Sequence, residues 1–193
     1  MNNKKIIFRI LLIFLLVVVN LNKIEYIFYK YLIPNESVVI MEIDTSKIKT
    51  YEQILQIEEF KGKPSFIYFN TRFNYDRLTS DTLQLNKLNN LYKDKKLNLI
   101  YIANGLEDEP KNKQEWEIKI NKLNLTGTHI SLPDNYDNFH SFMEVKKPNK
   151  GTTITSIPHY LLSDMYGKIT DTIFTPEIDV NKINYFVNTK TQK

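Results

Sequence analysis

Catalysis needs nucleophiles, proton-transfer groups or metal ligands, and these 193 residues supply few of them. The chain contains no cysteine, which removes thiolate attack, disulfide exchange, structural disulfides and thiolate-held zinc or iron–sulfur clusters together. Three histidines remain, His129, His140 and His159. Their separations are too long for a local metal-ligand motif, so only the fold could make them converge, and no metal is expected. The acidic run Glu107-Asp108-Glu109 offers oxygen ligands for a hard cation, but a single such run in a loop reads as solvated surface. No glycine-rich phosphate loop occurs, so no nucleotide or other cofactor is expected.

Charge narrows the partners. Residues 1–23 carry Lys4, Lys5, Arg9 and Lys23 and no acid, which leaves 26 − 4 = 22 basic residues against 22 acidic ones in the remainder. The basic excess therefore belongs to the amino terminus. A nucleic-acid partner is not expected, because phosphate recognition rests on a concentrated basic face.

The basic residues flank an apolar run from Ile6 to Val19, followed by Asn20, Asn22 and Lys23. No small-residue cleavage site follows, which favours an uncleaved signal-anchor over residues 1–23, with membrane contact through 6–21, ahead of a cleaved secreted form. The run is slightly short for a span, and Arg9 would snorkel to the interface. The positive-inside rule then puts the body on the extracytoplasmic side, the periplasm or cell envelope. With no cysteine at the end of the run, a lipoprotein-type acyl anchor is excluded. Residues 24–59 read as a neck, helical or extended as far as Pro34, and an amino-terminal extension.

The body carries alternating strand and helix signals. Val38–Met41 is a short strand candidate, and Tyr51–Phe60 is either a short helix or an extended segment. The turn Lys61-Gly62-Lys63-Pro64 precedes a buried strand over Ser65–Asn70, and apolar spacing from Arg77 to Tyr92 predicts a helix. Leu97–Ile102 is a second buried strand, so a parallel βαβ unit is expected. Gly105–Asn112 reads as a loop, Trp116–Leu123 as a helix closed by Asn124 and Gly127, and His129–Leu132 as an edge or central strand. Phe139–Val145 is expected to be a short helix and Lys146–Gly151 a basic loop. Ile154–Ser163 and Lys168–Ile173 flank the turn Asp164-Met165-Tyr166-Gly167 as a β-hairpin. Val180–Val187 suggests a last helix within a carboxy-terminal segment, 177–193.

This order of elements, with Pro158 opening the hairpin, resembles the thioredoxin fold and in particular its membrane-attached TlpA-type branch. Three strings carry the resemblance. Lys61-Gly62-Lys63-Pro64-Ser65-Phe66-Ile67-Tyr68-Phe69 is similar to the segment leading into that family's active-site strand. Trp116 and the stretch Leu123 to His129 resemble a helix and turn of the same branch, and Ser156-Ile157-Pro158-His159-Tyr160 through Ile169 resembles its cis-proline hairpin. The resemblance covers 60–176. It implies an α/β domain with a central mixed sheet flanked by helices, a βαβ unit followed by a β-hairpin, and for His129 a structural hydrogen bond.

The resemblance also implies where thiols are missing. Thr71-Arg72-Phe73-Asn74-Tyr75-Asp76-Arg77 occupies the place of the family's Thr-Trp-Cys-x-x-Cys stretch, so Asn74 and Arg77 stand at the two cysteine positions and Phe73 at the tryptophan. Neither an amide nor a guanidinium can form a mixed disulfide. Tyr68 stands where many thioredoxins bury an acid, so that accessory is expected to be absent as well. What the resemblance leaves is a groove for an extended polypeptide, with Phe73, Asn74, Tyr75, Arg77, Ile157, Pro158 and His159 as its positions. The expected protein is a redox-inactive, membrane-anchored domain that binds or scaffolds a protein or peptide of the cell envelope, and no enzyme. Against it stand three other readings: these residues do no more than shape the sheet edge and hairpin, the family's thiol-disulfide oxidoreductase label applies in name only since the residues contradict it, or a non-thiol enzyme uses His159 with Asp76 or Arg77.

Overall fold

The computed structural model describes the backbone at 7, 10, 13–16, 18, 20–28, 30, 36–48, 50–71, 75–94, 96–104, 110–132, 145–147, 150–153, 159–173 and 178–190. Among these, the side chains of 22, 70–71, 75–80, 104, 110–111, 145–147, 150–153, 159, 171–173 and 190 lie outside the description.

Six strands form one mixed sheet in the order β1-β4-β3-β2-β7-β8. They are β1 (Val38–Met41), β2 (Ser65–Thr71), β3 (Asn98–Asn104), β4 (Gly127–Leu132), β7 (His159–Ser163) and β8 (Ile169–Ile173). The first four run parallel, while β7 is antiparallel to β2 and β8 antiparallel to β7. The centres of β2 and β3, Phe66–Phe69 and Leu99–Ile102, are continuous hydrophobic runs because both of their faces are covered, as parallel strands require. On one face Phe66, Tyr68, Leu99, Tyr101, Tyr160 and Leu162 meet three helices: α3 (Tyr75–Asn86), α5 (Pro110–Lys122) and α6 (Val180–Lys190). On the other, Ile67, Phe69, Ile100, Ile102, Ile130 and Leu161 meet the short helix α2 (Tyr51–Leu55) and Phe60. Each large side chain buried this way contributes about 1.5–3 kcal/mol of transfer free energy.

Local chemistry fixes the connections. Thr50 and Gln53 form a reciprocal capping box, with Gln53 N–H donating to Thr50 Oγ1 and Thr50 N–H to Gln53 Oε1, which resolves Tyr51–Leu55 as helix. Pro110 opens α5, where its missing N–H costs nothing, so the loop expected over Gly105–Asn112 gives way to helix from Pro110 onward. Asn124 closes α5 in the left-handed region at φ 52. Leu125 N–H reaches the Ile120 carbonyl and Asn124 N–H that of Asn121, a Schellman closure. Gly127 starts β4 at φ +136 with its backbone so close to β3 that a Cβ would lie 2.7 Å from the Leu99 carbonyl oxygen.

Other expectations shift. The helix begins at Tyr75 rather than Arg77 and breaks at Lys87-Leu88 before α4 (Asn89–Lys93). His129–Leu132 is internal, between β1 and β3. The helix expected over Phe139–Val145 is wrong at its end, because Val145 belongs to β5 (Val145–Lys147), and 139–144 lie outside the described residues. The basic loop expected over Lys146–Gly151 contributes instead to a two-stranded antiparallel pair, β5 with β6 (Lys150–Thr153). Of the first hairpin strand, His159–Ser163 is strand, and 154–158 lie outside the described residues.

The neck is helical at α1 (Leu21–Ile27) and lies against α5, where Glu25 pairs with Lys122. Upstream, the described residues 13–16 are helical and exposed. Among the described residues no helix is long and apolar enough to cross a membrane.

Candidate partner-binding groove

The register places the two lips of the expected groove at one end of the sheet. Phe69 pairs with His159, so the end of β2 and the start of β7 lie at the same pole. Tyr75 and Arg77 lie in the opening turn of α3, and His159 is the first residue of β7. Phe73, Asn74, Ile157 and Pro158 lie outside the described residues, as do His140 and Glu107–Glu109.

Beneath that pole lies a buried polar centre. Asp81, on the inner side of α3 and only 7% exposed, accepts through Oδ2 from the phenol of Tyr160 at 2.7 Å and from that of Tyr68 at 3.3 Å. The absence of a buried acid expected from Tyr68 is therefore corrected: the strand carries the phenol, and the helix brings the carboxylate to it. A buried carboxylate without such donors would be costly, which is why it sits against two of them. One carboxylate thus ties together α3, β2 and β7. Sequence reading passed over Asp81 and Tyr160. The available signal was that Asp81 interrupts the apolar stripe of α3 between Leu78 and Leu85, at helical spacing.

Tyr68 and Tyr160 stand 5.0 Å apart between ring centroids, and Phe66 stacks on Tyr160 at 5.6 Å. Tyr101 continues the row at 6.0 Å from Tyr68 and stacks on His129 at 4.5 Å, with Trp116 edge-on to that imidazole. His129 takes a structural hydrogen bond: its Nε2–H donates to the Leu125 carbonyl at 2.8 Å. Burial pushes its pKa down to about 4 despite the opposing pull of that carbonyl, so the ring is neutral at pH 7 and its Nε2 is committed to the backbone. Burial raises the pKa of the Tyr101 phenol, whose oxygen has no hydrogen-bond partner among the described residues. Among the described residues no group of three His, Asp or Glu side chains could hold a metal ion.

No family model matches the chain, and no curated protein matches it in sequence. Solved structures give likenesses below 25% identity. The thioredoxin domain of the thiol-disulfide oxidoreductase BVU-2223 from Bacteroides vulgatus is 21% identical, over 68% of this chain and 84% of that one, at a TM-score of 0.49. A thiol-disulfide isomerase from Corynebacterium glutamicum is 11% identical over 70% and 85% at 0.47. StoA from Bacillus subtilis is 17% identical over 65% and 83% at 0.46. The fold itself is a mixed α/β domain with a central six-stranded sheet.

Proposed function

We propose that this chain is a redox-inactive, thioredoxin-like domain, held at a membrane on its extracytoplasmic side, that binds an extended polypeptide of the cell envelope between the opening of α3 and the start of β7. The observation that carries the reading is the pairing of two facts: β2, α3 and β7 are tied together by one buried carboxylate, Asp81, through Tyr68 and Tyr160, and the chain has no thiol with which to run a disulfide cycle. A surface so supported, with backbone groups at the start of β7, suits recognition by strand addition. Phe73, Tyr75 and Ile157 add apolar and aromatic contact, and Asn74, Arg77 and His159 add hydrogen-bonding groups. The apolar run from Ile6 to Val19, with Lys4, Lys5 and Arg9 around its start, supports attachment and its direction.

Hydrogen–deuterium exchange of the full chain, with and without a permanently unfolded carboxymethylated protein, tests this reading. Protection is expected over 69–77 and at the start of β7, with the turn at 164–168 unchanged. Unchanged exchange at both lips at saturating polypeptide contradicts it.

A further inference from the structure

The domain uses only one side of its neck helix. Glu25 of α1 pairs with Lys122 of α5, and the neighbouring Tyr26 is half-buried with it. On the other side Leu21, Ile24 and Ile27 are exposed by 52, 49 and 44%, and Phe28, still helical at its backbone, by 41%. The helix does not start afresh at Leu21. Asn20 N–H donates to the Leu16 carbonyl, Ile24 N–H donates to the Asn20 carbonyl, and the Asn20 side-chain amide adds a second bond to Leu16 at 2.8 Å. The helical residues 13–16 and 18 therefore run on into α1.

The exposed apolar residues keep one spacing. Ile7, Ile10, Phe14, Leu21, Ile24 and Phe28 follow at steps of three, four, seven, three and four, with Val17 dividing the step of seven in the sequence. Those are the first and fourth places of a heptad, which face a partner helix in a coiled coil. Inside the apolar run nearly every position would satisfy such a pattern. Past it the pattern selects, because Asn20, Asn22, Lys23, Glu25 and Lys30 take the other places while Leu21, Ile24 and Phe28 keep the seam. The same polar residues put this stretch in water rather than in hydrocarbon. At about 200 Å² per large side chain, the exposed fractions of the neck residues amount to about 400 Å² per copy, half of one partner's share of a standard interface. Ile7, Ile10 and Phe14, exposed by 58–66%, supply about as much again.

We infer that α1 forms a parallel bundle with the same helix of further copies of this chain, each copy's own domain lying on the outer side of its helix. Leu21 at the first place of the heptad with Ile24 at the fourth favours three or four helices over two. The parallel order rests on the proposed attachment, which sets every copy the same way up; the seam itself does not depend on it. A bundle carries several grooves on one neck. An extended polypeptide that engages two of them is then held through effective concentration as well as through contact.

Because the chain contains no cysteine, single cysteines report the seam without interference. The full chain carrying Leu21→Cys, Ile24→Cys, Lys23→Cys or Lys47→Cys is oxidised by copper phenanthroline in detergent, with micelles in excess over protein, and covalent dimer is read on a non-reducing gel. Positions 21 and 24 are expected to link severalfold more than 23 or 47, and light scattering of the cysteine-free chain to give a mass of two or more copies. In the Ile24→Asp, Ile27→Asp variant the mass should fall to one copy, with the near-ultraviolet circular dichroism of the domain unchanged. Co-flotation of the wild-type chain with phosphatidylcholine vesicles reads the attachment separately. A one-copy mass for the wild-type chain overturns the bundle, even where the chain co-floats, and leaves the exposed side of α1 to lipid or detergent. Several copies that link equally at all four positions, or that persist in the double variant, overturn the seam and reduce the association to the upstream apolar run.

Discussion

The phenol of Tyr160 donates to Asp81 Oδ2 at 2.7 Å across 79 positions of chain. Tyr160 stands immediately after His159 at the start of β7, and Asp81 lies in the second turn of a helix whose first turn holds Tyr75 and Arg77. One hydrogen bond therefore couples the two segments that bound the proposed groove. Tyr68 joins them from the strand between.

Removing the carboxylate should loosen both lips together. Asp81→Ala leaves the buried phenols of Tyr68 and Tyr160 without this acceptor and is expected to cost about 2–4 kcal/mol. Asp81→Asn, which keeps an acceptor oxygen, should lose clearly less, and Tyr160→Phe about 1–2 kcal/mol. Urea denaturation with linear extrapolation checks the order, and an Asp81→Ala protein as stable as wild type would remove the clamp from the account.

Stability should depend on pH through His129. Its folded pKa of about 4 lies below the unfolded value near 6.5, so between these limits the unfolded chain binds the extra proton. The contribution of the neutral ring is fully present above pH 6.5, falls as the pH drops through that window, and is gone below 4. The loss is about 3 kcal/mol at most. His129→Phe should flatten the slope between pH 7 and 4.5 at a constant cost of roughly 1 kcal/mol for the unmet Leu125 carbonyl, readable from urea midpoints across that range.

Two glycines should respond differently to alanine. Gly127 sits at φ +136 with a Cβ position 2.7 Å from the Leu99 carbonyl oxygen and 2.8 Å from Tyr101 Cε2. Gly127→Ala must shift β4 from β3 and is expected to cost about 3 kcal/mol or more. Gly62, at φ +77 with open space around it, should lose only about 1 kcal/mol, the backbone term alone. Thermal melts of the two variants would rank them, and equal losses would contradict the close approach of β3 and β4.

Thiols placed at the positions of Asn74 and Arg77 test the correspondence on which the groove rests. Asn74→Cys with Arg77→Cys sets two thiols three positions apart in the sequence, the spacing of the family's cysteine pair, with Arg77 in the opening turn of α3. The double variant is expected to oxidise to an intramolecular disulfide and to reduce insulin weakly, where the wild-type chain does not. Two thiols that stay free in air and inert toward insulin would place the lips elsewhere.

Much of the frame was legible because buried parallel strands leave continuous apolar runs, as in Phe66–Phe69 and Leu99–Ile102, and because Asp164 and Gly167 mark their turn by composition. The capping pair Thr50 and Gln53 and the helix-opening Pro110 were equally local, though weaker beside their polar surroundings. β5 and β6 were not legible, since Val145–Lys147 and Lys150–Thr153 are short and mostly polar, and each is defined by its pairing with the other. Asp81 escaped for a different reason. A carboxylate in a helix reads as solvent-facing until a tyrosine from a strand far downstream arrives to meet it.

In-cell photo-crosslinking tests the binding of polypeptide at this groove most directly. A photoreactive residue replaces Tyr75 or His159 in the full chain, in wild-type background and with Pro158→Ala, and the same residue at Tyr166 serves as the distant control. The account predicts recurrent envelope proteins captured from 75 and 159, lost with Pro158→Ala and absent from 166. A folded, membrane-associated chain that captures nothing from 75 or 159, or captures the same proteins equally from all three positions, would contradict it.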